Sequence, residues 1–250
     1  MPESGGRHVA GARADRPARP VVLAAHGTSD PAGRRTLEAV RDGVADRLGA
    51  PVGLGFVDLA SPGLAHVLAA HPSALVVPMF VTAGYHVEVD VPREARRAGA
   101  LVSEHLGAGA ALAPALLARA QEARPDPDAI AVLAAGSSSV SAREEVVTLG
   151  ATLAQLCGVT VSVGFLSGPG PSAHTALVAA GRGDRPVAVP ALLAPGHFSR
   201  AATQLSGTRG IPLGAVLGAH PAVLDVVVAR LGARPAAMPV LPRGGIRYAG

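Results

Sequence analysis

The chain has 250 residues, 49% of them hydrophobic and 16% charged, with a single Cys. That is enough apolar material for one large or two small domains with a sizeable core, and it leaves no basis for an intrachain disulfide framework. All 22 basic residues are Arg, yet the net charge of +4 sits at the ends: residues 1–19 carry +2 and residues 233–250 carry +3, leaving residues 20–232 at −1. A near-neutral body with two Tyr, four Phe and no Trp argues against a protein that grips nucleic acid through its phosphates or by base stacking.

Residues 1–19 are polar, rich in Gly, Arg and Pro, and lack the apolar centre of a secretory signal or membrane anchor. No run reaches the ~18 uncharged apolar residues of a spanning helix. The expectation is a cytoplasmic protein with no membrane partner, a disordered leader (1–19) and a flexible tail (233–250). The first element is the apolar run Val21-Val22-Leu23-Ala24-Ala25, read as a buried parallel strand, followed by the turn His26-Gly27-Thr28-Ser29-Asp30-Pro31. Leu37, Val40, Val44 and Leu48 then recur at three- and four-residue spacing between charged residues, which predicts a helix over 31–48. A second strand spans 52–58 and ends in Asp58; a short helix follows over 62–70. Residues 74–80 form a third strand, followed by Val81-Thr82-Ala83-Gly84-Tyr85-His86. A helix is expected from about Asp90, with Pro92 in its first turn. A fourth strand (100–104) and a closing helix (112–123) complete the set. Strands alternating with helices imply a parallel sheet with right-handed crossovers.

The programme then restarts. Ala129 to Ser138 echoes Val21 to Thr28, Gly164-Phe165-Leu166-Ser167 echoes Gly55-Phe56-Val57-Asp58, and Pro186 to His197 echoes Ala74 to His86. Leu217-Gly218 likewise answers Leu106-Gly107. Two copies at an offset of roughly 110 residues predict two similar α/β lobes, 20–124 and 125–232, joined near Pro125-Asp126-Pro127, with a ligand cleft between them.

His26, Asp58 and His86 fall at or just past the ends of the first three strands, and those ends share one edge of a parallel sheet, where ligands of open α/β sheets bind. Two imidazoles and a carboxylate suit a borderline divalent metal, and imidazole also accepts protons near neutral pH. Taken singly, a histidine in such a turn reads equally as a partner of the helix start, and an Asp as a cap; three at corresponding strand ends favour a site. Thr28, Ser29 and Asp30 are caps of the first helix or ligand contacts. His66, His71, His105 and His174 lack partners at metal-ligand spacing and read as solvated or structural. Cys157, in a helical stretch, reads as a small buried apolar residue.

The stretches Ala-His-Gly-Thr-Ser-Asp-Pro, Phe-Val-Asp-Leu and Val-Pro-Met-Phe-Val-Thr-Ala-Gly-Tyr-His-Val-Glu-Val-Asp-Val-Pro, in that order, resemble the sirohydrochlorin chelatases among the class II tetrapyrrole chelatases, over roughly residues 20–232. The resemblance implies two flavodoxin-like lobes with parallel sheets facing a central cleft. It also implies an enzyme that inserts a divalent metal into sirohydrochlorin without ATP and holds no permanent cofactor. By that resemblance His26 and His86 hold the incoming metal and accept pyrrole protons, while Asp58 stands where the family often carries Glu. In the second copy Gly136 would replace the first histidine and Ser167 the acid, with His197 retained, so that lobe would hold the macrocycle. Thr28, Ser29, Tyr85, Ser137, His197 and Arg200 are the expected substrate contacts. The substrate's carboxylates would meet backbone N–H groups at Gly27-Thr28-Ser29 and Gly136-Ser137-Ser138, because no Arg cluster is evident at the strand ends. A monomer with internal pseudo-symmetry is expected. Fe²⁺, leading to sirohaem, is favoured because the chain lacks the His-rich tract of some cobalt-directed relatives; Co²⁺, leading towards cobalamin, is the alternative. A non-catalytic tetrapyrrole or metal carrier would show the same duplication and histidine pair. A phosphoryl-transfer enzyme with a nucleophilic His would want a phosphate loop or clustered Arg beside His26.

Overall fold

A strand with no polar side chain on either face is stable only when both faces are covered. In the computed structural model, which describes residues 19–232, the run after Pro20 meets that condition: β1 (Val21–Ala25) is buried at every position and lies inside a parallel sheet. The expected leader, up to residue 18, and the expected tail lie outside the described residues. β1 pairs in register with β2 (Val52–Phe56) and β3 (Leu75–Pro78), and β3 with β4 (Leu101–Val102), giving the order β2-β1-β3-β4. The second half repeats it with β5 (Ala129–Ala134), β6 (Thr160–Phe165) and β7 (Pro186–Pro190) in the order β6-β5-β7. There the fourth strand shrinks to a single parallel bridge between Ala188 and Leu213. The crossover order 2-1-3 is that of flavodoxin-like sheets.

Helix α1 (Pro31–Leu48) coincides with its predicted span because both ends carry stop signals. The Asp30 carboxylate accepts from the Ala32 N–H at 2.9 Å, Pro31 takes the first position, and Gly49 closes the helix in the left-handed region. α5 (Val140–Cys157) copies this with Ser139 as its cap and Gly158 at its end. α2 (Leu64–Ala70) and α3 (Val91–Arg97) cover the outer face of the first sheet, and α6 (Ala173–Ala180) and α7 (His197–Gly207) that of the second. The half-buried Cys157 packs against the core at the end of α5.

The closing helices differ from the expected arrangement. α4 (Ala113–Ala123), read as the end of the first lobe, packs on α5 and β7, whereas α8 (Pro221–Gly232) packs on α1 and β3. Each half thus covers the other's sheet, and one continuous core runs from Val21, Leu23 and Leu37 through Leu116 and Leu224 to Ile130 and Val132. Two Arg side chains pin the exchange: Arg119 on α4 donates to the Leu217 carbonyl at 3.0 Å, and Arg230 on α8 reaches the Leu106 carbonyl at 3.5 Å. The two halves, which meet in the chain near residue 125, therefore share one core. No helix among the described residues is long and apolar enough to cross a membrane.

Candidate active site

β1 ends at Ala25, and its next residue, His26, is turned by Gly27, whose φ of 96° disfavours any other residue. A Cβ there would lie 2.1 Å from the Asp58 carbonyl oxygen, so the glycine also permits the β1 and β2 turns to touch. Past β3, the chain enters a tight π-helical turn (His86–Asp90) that runs directly into α3, so helix starts four residues before its expected point. That turn stacks Asp90 under His86. Asp90 Oδ2 lies 2.6 Å from His86 Nδ1, and Arg93 holds the other carboxylate oxygen at 2.8 Å. A hydrogen bond to Glu94, with the Asp90 and Glu94 charges adding and burial opposing them, raises the Arg93 guanidinium above its ordinary range.

His26 and His86 meet edge to face, with ring centroids 4.6 Å apart. Nδ1 of His26 lies 3.2 Å from the Gly27 carbonyl oxygen. A carbonyl or carboxylate oxygen only accepts, so both Nδ1 atoms donate, which leaves Nε2 as the nitrogen through which each neutral imidazole would take a metal or proton. Phe80 stacks on His86, with ring centroids 6.1 Å apart.

The carboxyl ends of both sheets open on one cavity of about 410 Å³, with an apolar lining that includes Leu37, Met79, Phe80, Val146, Phe165 and Phe198. His26, Thr28, Ser29, Ser137, His197 and Arg200 all line it. His86 does not line it but packs on His26, which does. The hydroxyls of Thr28 and Ser137 are already engaged, accepting from the N–H groups of Asp30 and Ser139 at 3.0 and 3.1 Å. Arg200 is ion-paired across the two halves with Asp30 at 2.6 Å.

Two expected site residues are not brought in. The Asp58 carboxylate folds back onto the Leu59 N–H at 2.8 Å in an exposed turn, because the chain reverses immediately after β2 and the Asp58 carbonyl accepts from Ala60. Among the described residues, no group of three or more His, Cys, Asp or Glu is placed to hold a metal, so the candidate centre is a two-histidine pair. Tyr85 is 51% exposed and lies outside the cavity, because it precedes the π turn; its ring touches the outer side of the site at 6.0 Å from His86.

The second half also departs from the expected correspondence. Gly27 and Gly136 share the turn, with φ of 96° and 103° and the same close approach to the following strand, so Ala135, not Gly136, occupies the place of His26. Pro78 and Pro190 pair at the same register, and Glu88 and Arg200 donate to Gly84 and Gly196 in the same way. His197 therefore matches Tyr85, and Phe198 matches His86. The ends of β5 and β7 thus carry no imidazole where β1 and β3 deliver theirs.

Three contributors were missed. Asp90 would have been visible as an i, i+4 partner of His86 had the helix been read from residue 86. Arg143 lines the cavity and donates to the Ser137 and Ser138 carbonyls at 2.7 and 2.9 Å, and Phe198 lines it from α7; no local pattern marks either.

The fold matches SirB from Bacillus subtilis with Fe³⁺ at a TM-score of 0.71 and 19% identity, covering 85% of this chain and 93% of that one. It matches SirB from Bacillus subtilis subspecies spizizenii in complex with cobalt at 0.69 and 19%, with the same coverage. CbiX, described as the terminal enzyme for biosynthesis of siroheme in denitrifying bacteria, matches at 0.67 and 24%, covering 86% of this chain and 98% of that one. No curated protein matches the sequence. The CbiX family matches twice, over residues 20–123 and again over 129–233, and the chain belongs to that family.

Proposed function

We propose that this protein is a sirohydrochlorin chelatase that inserts a divalent metal, Fe²⁺ in preference to Co²⁺, without ATP. The observation that carries this reading is the His26–His86 pair, packed edge to face where an apolar cavity joins the two halves. Metallating a tetrapyrrole requires two pyrrole N–H protons to leave while a hydrated dication sheds water. Two neighbouring imidazoles can hold the ion and then take the protons. Two protein ligands leave most of the coordination sphere open, so the ion can pass to the ring, whereas a closed four-ligand site would trap it. The apolar lining suits the face of a macrocycle. Arg143 and Arg200 are the cations available to its carboxylates, Arg200 by exchanging Asp30 for substrate. The backbone N–H groups of Ser29 and Ser138, in the turns just before α1 and α5, can receive others.

The test is a turnover assay: catalytic amounts of protein mixed with sirohydrochlorin and Fe²⁺, Co²⁺ or Ni²⁺, followed by visible absorption. Many products per protein molecule are expected, fastest with Fe²⁺. A signal that stops at one equivalent would identify a carrier instead. Imidazole ligands bind these ions with affinity rising from Fe²⁺ to Co²⁺ to Ni²⁺, so binding strength by itself does not select the metal.

Asp90 supplies a second test. Its carboxylate sets the tautomer and ring angle of His86, and such partners of a ligating histidine are typically worth about 10- to 100-fold in metal affinity or activity. Asp90→Asn is expected to lower both Co²⁺ affinity and insertion rate by that order while circular dichroism stays unchanged. An Asn variant with wild-type Co²⁺ affinity would show that the charge of the Asp90 carboxylate is not what sets the ring for metal.

A further inference from the structure

The half of the chain without an active histidine pair nevertheless reaches the other half's catalytic loop. Glu145, on α5, places Oε2 2.6 Å from the Ala83 N–H and Oε1 3.1 Å from Nε2 of His105. His105 is 6% exposed, and its Nδ1 lies 3.2 Å from the Phe80 carbonyl oxygen. Phe80 and Ala83 bracket the segment between β3 and the π turn that carries His86. On its own side that segment is held as far as Phe80, by Met79 N–H to Ala24 and by Gly107 N–H to Phe80. Ala83 is the next anchored position toward His86, and its partner comes from the other half.

The pseudo-symmetry shows that the fold does not need this arrangement. The helix caps Asp30 and Ser139 correspond, which sets Thr36 opposite Glu145. By the β3 and β7 register Pro195, with no N–H, stands opposite Ala83, and the paired Leu106 and Leu217 loops set Val216 opposite His105. All three members of the clamp are missing where no catalytic histidine has to be held. We propose that Glu145 is a positioning residue: through Ala83 and His105 it fixes the loop that aims His86 at His26. The clamp gives the second half a part in the chemistry without a catalytic group. This deepens the chelatase reading and relies on it for the reaction, but not for the geometry of the histidine pair.

The test compares Glu145→Ala and Glu145→Gln with Glu144→Ala, a control at the neighbouring exposed acid of α5. Co²⁺ binding is read by visible absorption without tetrapyrrole, kcat and KM by insertion, and folding by thermal circular dichroism. A misplaced reacting group costs on the order of 10- to 100-fold. Glu145→Ala should lose that much in kcat and bind Co²⁺ more weakly, with KM for sirohydrochlorin nearly unchanged. Glu145→Gln, whose amide oxygen still accepts from Ala83, should recover most of the loss, and Glu144→Ala should match wild type. Wild-type Co²⁺ affinity and kcat in Glu145→Ala would overturn the proposal. So would a Gln variant as impaired as the Ala variant, with both losses following a lowered melting temperature. Weaker Co²⁺ binding by Glu145→Ala in a protein that inserts no metal would sustain the clamp and remove only the chelatase reading.

Discussion

Replacing His26 or His86 by Ala is expected to lower metal insertion by about 10²- to 10⁴-fold, the usual worth of a positioned base. Each ring is half-buried, and the hydrogen bonds given by each are local, to Gly27 and to Asp90. Deleting His26 therefore removes about 1 kcal/mol of hydrogen bonding and deleting His86, whose partner is a carboxylate, about 1.5–3 kcal/mol, and the β1 and β3 cores are untouched. Circular dichroism should be that of the wild type. Because the rings act on one ion, the double variant should be little worse than either single one; groups that work as a unit are strongly non-additive. Co²⁺ binding should fall in parallel with turnover in both variants. Should either Ala variant insert metal at a rate near wild type, that histidine has no part in the reaction.

The largest loss of stability is expected from Gly27→Ala and Gly136→Ala. Both positions have positive φ, and the added Cβ would lie 2.1 Å from the Asp58 carbonyl oxygen in one case and 2.0 Å from that of Ser167 in the other. Backbone oxygen cannot rotate away as a side chain can, so one strand-end turn must move. Left-handed strain of roughly 1–2 kcal/mol and overpacking of roughly 1–3 kcal/mol together give about 2–5 kcal/mol, which lowers the melting temperature by on the order of 5–15 °C in a chain of this size. Urea unfolding followed by circular dichroism measures the loss. Activity separates the two variants: Gly27→Ala displaces His26 and should also slow insertion per folded molecule, whereas Gly136→Ala leaves the histidine pair in place. Equal stability in Gly136→Ala and wild type would mean that the second turn relaxes without cost.

Much of the fold was legible because its signals are local. The apolar runs at Val21 and Ala129 had no polar face, and α1 announced itself by Asp30-Pro31, a regular apolar stripe and Gly49. The duplication was visible in the order of the motifs. The detailed correspondence between copies was not: aligning by histidines matched His197 to His86, whereas strand pairing through Pro78 and Pro190 places Phe198 there. The start of the helix at His86 was read four residues late because a π turn has no apolar period to reveal it.

Local residue patterns are enough to specify a duplicated parallel α/β protein, the strand ends beyond which His26 and His86 emerge, and the Asp30 cap and Gly27 turn beside His26. Only the packing of whole elements put Asp58 in an outward turn, Asp90 behind His86, α4 and α8 in each other's places, Arg143 on the cavity wall and Glu145 against Ala83 from the other half. The division follows from range. Periodicity, caps and turns express energies between residues a few positions apart, and these can be read along the chain. The direction of a side chain beyond a strand end, and the partner it meets across an interface, depend on how whole sheets and helices pack, which no local spacing records.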